Sequence, residues 1–269
     1  MDTKFLLLWL EAPLQSWGFD SKFGRRDSLD FPTKSGVLGL ILCALGKSGE
    51  QRELLSRFAD LKQTVISFSD TEKNKKKPIL LHDFQMIGAG YDDKDSEKNK
   101  KKKTTLLHDF QMIGAGYDDD KDSWKKNHIP KKSDGSSAVG GGTKMTHRYY
   151  LQDAVFAVLL EVPSDLAQEC ADALKNPVWP IYLGRRCCVP SDFIFQGIFD
   201  DESSAESAAK EKADSHQNRK LSVSFKVVDG EIDGEDSFTL NDVPVQFGTV
   251  KKYRDRRVTK MFVHENEEE

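Results

Sequence analysis

The sequence has no long apolar run and few cysteines. None of its apolar stretches approaches the roughly 20 residues that a membrane-spanning helix requires. The N-terminal segment reaches the charged Glu11 too early for the apolar core of a secretory signal. We therefore expect a cytoplasmic protein with no membrane partner. With 269 residues, of which 38% are hydrophobic, the chain is long enough to bury a sizeable core.

Metal-binding motifs and a large net charge are also missing. The four cysteines, at 43, 170, 187 and 188, lack C-x-x-C spacing, and adjacent cysteines bridge poorly. We expect free thiols, no metal and no cofactor. The 40 lysines and arginines nearly balance 44 aspartates and glutamates, which gives a formal net charge of −4. This balance excludes a protein that coats nucleic acid through bulk charge, so any nucleic-acid contact must be local.

The remaining pattern predicts an α+β fold built from two similar halves. Strand, helix and strand follow one another in each half: at Lys4–Leu10, Gly36–Leu45 and Thr64–Phe68, and then at Ala154–Val162, Ser164–Leu174 and Pro177–Leu183. We expect a second helix at Gly49–Leu61 and an N-cap at Ser164. Two such halves are typical of a ferredoxin-like sandwich. Asp200–Asn218 indicates a linker or loose helix, and further strands are predicted at Leu221–Val228, Ser237–Phe247 and Thr259–Val263.

The middle of the chain contains a tandem duplication. The segment Leu80–Asp93 recurs letter for letter at Leu106–Asp119. Two copies are too few for a stacked-repeat fold, and the surrounding segment is rich in Lys, Asp, Gly and Ser. We therefore predict a long, partly mobile arm inserted between the two halves.

Two short motifs suggest contacts with phosphate. Pro32–Gly36 opens the most apolar helix, and the free N–H groups at such an end bind anions, although plain capping by Thr33 or Ser35 explains the motif equally well. Arg185 and Arg186 follow Gly184, which permits a tight turn. Their alternative explanation is surface ion pairing. No motif pairs a nucleophile with a base, so we expect no catalytic residue.

Five blocks occur together in the order of one family. They are LEAPLQSWG at Leu10–Gly18, FPTKSGVLG at Phe31–Gly39, LHDF at Leu107–Phe110, YYLQDA at Tyr149–Ala154 and YLGRR at Tyr182–Arg186. With these blocks the chain resembles the CasD family, the Cas-five RAMP subunits of type I-E CRISPR Cascade. The resemblance implies a ferredoxin-like (RRM-like) RAMP fold with a long protruding thumb. It divides the chain into a first part of the body at 1–82, a thumb at 83–147 and the rest of the body at 148–269.

The resemblance also implies a function. Such a subunit binds and caps the 5′ handle of the crRNA, contacts the adjacent backbone (Cas-seven) subunit through its thumb and contacts the large PAM-recognising subunit. It thereby takes part in antiviral defence, meets target DNA only indirectly and does not cut RNA. The main alternative is a metal-independent endoribonuclease that processes the CRISPR precursor, as in type I-C relatives.

Carried onto this sequence, the resemblance assigns RNA contacts to three groups of residues. We expect Thr33, Lys34, Ser35 and Gly36 to contact phosphate at the helix start, and Gly184, Arg185 and Arg186 to hold the handle backbone. The third group forms a loop that closes over the handle: Gln15, Trp17, Arg25 and Arg26. For Trp17, a role in packing is an equally good interpretation.

Overall fold

The structure is a computed structural model, and it describes residues 2–19, 25–70, 79–87, 110–113, 144–217, 219–233 and 235–263. At 25, 79–87, 110–113 and 144–147 only the backbone is described. The chain divides into two compact units. The first comprises Met1–Gly18, Leu29–Ile79 and Leu151–Glu269, and the second comprises Phe19–Ser28 and Leu80–Tyr150.

The secondary structure is mixed. The strands are β1 (Thr3–Glu11), β2 (Leu14–Gln15), β3 (Trp17–Gly18), β4 (Arg25–Arg26), β5 (Ser28–Leu29), β6 (Gln63–Asp70), β7 (Ile79–Ile87), β8 (Phe110–Ile113), β9 (Lys144–Gln152), β10 (Val155–Pro163), β11 (Phe195–Phe199), β12 (Leu221–Asp229), β13 (Asp236–Gln246) and β14 (Lys252–Phe262). The helices are α1 (Lys34–Ala44), α2 (Arg52–Phe58), α3 (Ser164–Lys175) and α4 (Glu202–Asp214).

A seven-stranded antiparallel sheet forms the first unit, in the order β11-β1-β10-β6-β12-β14-β13. Its first four strands come from two strand-helix-strand halves, β1 to β6 and β10 to β11. They lie in the order fourth, first, third, second, which is the ferredoxin-like arrangement. The predicted α+β ferredoxin-like fold is therefore confirmed. The strand predicted at Pro177–Leu183 is wrong, because these residues form irregular chain and the fourth strand is β11 at Phe195–Phe199. The strands β12, β14 and β13 extend this sheet beyond β6.

The core lies on both faces of the central strands. In β1, Leu7 and Trp9 belong to the cluster that α4 covers with Ala205, Ala209 and Ala213. Because side chains alternate along a strand, the buried residues Leu6, Leu8 and Leu10 line the opposite face, and α3 also packs on β1. Burial on both faces explains the continuous apolar run that predicted this strand.

Of the two alternatives predicted for Asp200–Asn218, a linker or a loose helix, the structure shows a helix, α4. Its alanines at 205, 209 and 213 recur every four residues and form a small buried face. One prediction about the helices is wrong. Ser164 is the first residue of α3 and not its N-cap. Pro163 occupies that position, and the Ser164 hydroxyl is buried with no hydrogen-bond partner among the described residues.

The second unit brings the two copies of the duplication together. β7 and β8 pair in parallel, and each residue pairs with its own duplicate, as Phe84 does with Phe110 and Ile87 with Ile113. In the same unit β4 pairs in parallel with β9. The predicted thumb boundaries at 83 and 147 stay predictions, since much of that segment lies outside the described residues. Within the described ranges, no helix is both long and apolar enough to span a membrane.

Candidate nucleic-acid interface

The start of α1 is capped by its own neighbours. Thr33 is the N-cap, and its hydroxyl oxygen accepts a hydrogen bond from the Gly36 N–H at 3.1 Å. The Lys34 N–H donates to a carboxylate oxygen of Asp242 at 2.7 Å. Two of the first three helix amides therefore have acceptors within the protein, and one of these acceptors is an anion. The Ser35 N–H has no acceptor among the described residues.

The side chain of Lys34 points into the protein. It is 1% exposed, and its ammonium donates to the carbonyl oxygens of Ala59 (3.2 Å) and Leu61, just beyond the end of α2. Burial lowers the pKa of Lys34 below its ordinary value. The structure thus gives this ammonium two backbone acceptors, and the predicted phosphate contact of Lys34 stays a prediction.

A buried network of ion pairs joins Arg256 to two aspartates, one of which also accepts the hydrogen bond from the Lys34 N–H. Arg256 on β14 donates from Nε and a terminal nitrogen to Asp242 at 2.7 and 2.9 Å, and it also contacts Asp229. Burial opposes the charge on Arg256, but hydrogen bonds and ion pairs with the two aspartates hold its pKa above the ordinary value. Sequence analysis missed Asp242 and Arg256 because 208 residues separate Lys34 from Asp242, and no local spacing indicates the contact.

Gln15 and Trp17 form a buried link beside the helix start. The Gln15 amide donates to the carbonyl oxygens of Leu10 (3.0 Å) and Ala154 (2.7 Å) and accepts from the Trp17 indole N–H at 3.1 Å. A Cβ on Gly36 would lie 2.8 Å from the Trp17 ring, so glycine allows the close packing of the helix on this ring. Both Gln15 and Trp17 are buried, which agrees with the packing interpretation of Trp17. Their predicted RNA contacts are untested.

Ser16, between Gln15 and Trp17, contacts a turn at residues 183–188, which we call the arginine corner. The Ser16 N–H donates to the Leu183 carbonyl at 3.1 Å. Gly184 has a φ of +101°, and a Cβ there would lie 1.8 Å from the Ser16 carbonyl oxygen. The helix start and the arginine corner therefore contact Trp17 and Ser16, respectively. These are the two stretches from which sequence analysis predicted a common RNA site.

The arginine corner is a tight turn held by backbone hydrogen bonds. The Cys188 N–H donates to the Arg185 carbonyl at 2.8 Å, and the Leu183 N–H donates to the Cys188 carbonyl at 2.8 Å. Arg186 is exposed, and within the described part of the chain it has no ion-pair partner. Arg185 is half-buried. The two arginines are therefore attached to a backbone that these hydrogen bonds, and the one from Ser16 to Leu183, hold in place.

Two of the residues predicted to contact RNA lie in the second unit. Arg25 and Arg26 belong to the second unit, where they pair with His147 and Arg148 of β9. Their predicted role in the loop over the handle stays a prediction. The cysteines are free thiols, as predicted: Cys187 is exposed at the arginine corner, and burial raises the pKa of Cys188 to about 12.

Comparisons with known proteins bear on the family of this chain. The sequence model of the family described as "CRISPR-associated protein (Cas_Cas5)" matches residues 5–259. The chain is 24% identical over 251 residues to the "CRISPR system Cascade subunit CasD" of Escherichia coli (strain K12), which covers 90% of this chain and 88% of the relative.

Two solved structures are similar over nearly the whole chain. One, described as "CRISPR RNA-guided surveillance complex", superposes with a TM-score of 0.62 at 26% identity. The matched region covers 96% of this chain and 89% of the other chain. A second, described as "Crystal structure of Cas protein", shares the fold with a TM-score of 0.55 at 24% identity and coverages of 96% and 94%. The resemblance to CasD and the predicted RAMP fold are confirmed. The chain belongs to the CRISPR-associated Cas5 family.

Proposed function

We propose that this protein is a non-catalytic subunit of a CRISPR Cascade surveillance complex that binds and caps the 5′ handle of the crRNA. In that complex it contacts the adjacent backbone subunit and links the backbone to the large PAM-recognising subunit. The observation that carries the RNA-binding part is the arginine corner. It presents Arg185 and Arg186 from a rigid turn, directly beside the segment that packs on the start of α1.

The chemistry of this corner suits a single strand of RNA. Guanidinium groups bind phosphate through paired N–H donors, and a fixed turn loses little conformational freedom on binding. The Ser35 N–H, at the start of α1, is a donor of the kind that phosphate oxygens accept. Because these groups act locally, the formal net charge of −4 is compatible with RNA binding.

Removing the corner charges should weaken guide RNA binding. With both Arg185→Ala and Arg186→Ala, we expect a complex co-expressed with its sister subunits to retain less guide RNA. The slope of log K against log salt should become shallower by about one for each phosphate group that the variant no longer binds. The measurement is RNA retained per complex at several salt concentrations.

The matched control is Arg257→Ala. This exposed arginine lies on β14 and pairs with Glu231, and its removal should leave RNA retention unchanged. Equal retention by the double variant and the wild type at every salt concentration would contradict the assignment. A gel of the retained RNA also reports its length. We expect the wild-type protein to leave a repeat-containing RNA intact. Metal-independent cutting within that RNA would favour the endoribonuclease alternative.

A further inference from the structure

The loop that follows the arginine corner presents an aromatic ring to solvent. Phe193 is 86% exposed, the most exposed of the large hydrophobic side chains described. It lies seven residues after Arg186 in the same loop, and this loop is hydrogen-bonded at two points to residues 11–16 at the end of β1 and just after it. Leu183 accepts from Ser16, and the Ser191 N–H donates to the Glu11 carbonyl at 2.8 Å.

The backbone around Phe193 is fixed on both sides. The Phe193 N–H donates to the Asp192 carboxylate at 2.7 Å, and the same carboxylate pairs with Lys212 of α4 at 2.8 Å. The carbonyl of the next residue, Ile194, accepts from the Trp9 N–H at 2.7 Å. An exposed ring on a rigid backbone contributes little to folding but offers a preorganised flat surface to a ligand.

We infer that Phe193 is a stacking platform for one unstacked base of the guide RNA, whose neighbouring phosphate lies on the arginine corner. This inference rests on the proposed function and adds a base-contacting residue to it. Aromatic rings bind single-stranded nucleic acid by stacking on bases of any sequence, and they do so beside cationic groups that follow the backbone.

The surroundings of Phe193 favour a base over a protein partner. A protein contact of useful affinity is built around a contiguous apolar patch with a polar rim. The residues that precede Phe193, Ser191 and Asp192, are polar, and Asp192 is held by Lys212. An exposed ring in a loop that also carries two arginines matches the mixed stacking and charge that RNA binding requires.

Three substitutions at this position separate stacking from hydrophobicity. We expect Phe193→Ala to weaken binding of the guide RNA, extracted from the wild-type complex, by roughly 5- to 150-fold, the range for removing one base–aromatic stack. Phe193→Leu should reduce this affinity almost as far, since leucine has no π-face, while Phe193→Trp should retain it. Val250→Ala, which removes another exposed apolar side chain, should have no effect.

The salt dependence distinguishes this contact from a phosphate contact. Phe193→Ala should lower affinity without changing the salt slope, whereas the double arginine variant changes the slope. If the arginine variant loses RNA and Phe193→Ala does not, the inference is wrong and the proposed function stands. If the wild-type protein binds no guide RNA in the complex or alone, the proposed function itself fails. If Phe193→Ala weakens only the joining of a sister subunit, the ring is a protein contact and the inference is overturned.

Discussion

Replacing Gly184 with alanine should destabilise the protein and displace the arginine corner. The added Cβ would lie 1.8 Å from the Ser16 carbonyl oxygen, and this oxygen belongs to a backbone that is itself fixed by a hydrogen bond to Leu183. The φ of +101° adds a conformational penalty for any residue with a Cβ. We expect a decrease of about 3 kcal/mol or more in the free energy of unfolding. Guide RNA retention should fall with it, because Arg185 and Arg186 must move with the turn.

The chain offers a closely matched control for this variant. Gly230 has a φ of +100°, and a Cβ there would meet no atom within 4 Å. Gly230→Ala therefore carries the conformational penalty without the collision, and it should leave RNA retention unchanged. Thermal unfolding and RNA retention, measured on both variants, isolate the close approach of Gly184 to Ser16. Equal behaviour of the two variants would show that this approach does not hold the corner.

Replacing Asp242 with alanine should break the buried network behind α1. The carboxylate accepts from Arg256 through two nitrogens and from the Lys34 N–H, so its removal leaves a buried guanidinium and a helix amide with fewer partners. Removing one partner from a buried ion pair costs about 3–5 kcal/mol where the remaining charge is uncompensated, and because Asp229 still contacts Arg256 we expect the lower end of this range, about 3 kcal/mol. Asp242→Asn should cost less, since the amide oxygen can still accept one of these hydrogen bonds.

Asp60→Ala is the control for the Asp242 substitution. Asp60 pairs with Arg254, which lies two residues from Arg256 on the same strand, but the Asp60 side chain is 85% exposed. Solvent screening limits such a pair to less than about 1 kcal/mol. Denaturant unfolding of both variants measures the difference. A cost for Asp242→Ala no larger than that for Asp60→Ala would mean that the network does not stabilise the helix start.

The ferredoxin-like core was predictable because its signals are local. The apolar runs of β1 and β10 are buried on both faces, and Thr33 is a recognisable cap next to an apolar helix. The helix α4 was harder to predict because its buried face consists of alanines, which carry almost no hydrophobic contrast within a charged segment. Its position depends on the sheet beneath it, and local sequence does not report that contact.

The individual roles of motif residues were less predictable than the motifs. Lys34 follows a helix cap, and this pattern is the same whether the ammonium faces solvent or, as here, the carbonyls at the end of α2. Gln15 and Trp17, predicted to close over RNA, are buried and hydrogen-bonded to each other, and their RNA contacts stay predictions. These directions are set by contacts between distant parts of the chain. Phe193 gave no signal in the sequence because exposure, and not residue type, distinguishes it.

The most direct test of the account is a cross-link from the arginine corner to the guide. Cys187 is exposed beside Arg186, whereas Cys170 and Cys188 are buried with pKa values raised to about 12, so a thiol-reactive photocrosslinker labels Cys187 selectively once Cys43 is replaced by serine. The labelled subunit is assembled into the complex and irradiated, and the cross-linked nucleotide is mapped by primer extension. We expect cross-links confined to the nucleotides at the 5′ end of the guide. Cross-links elsewhere along the RNA, or only to protein, would contradict the account.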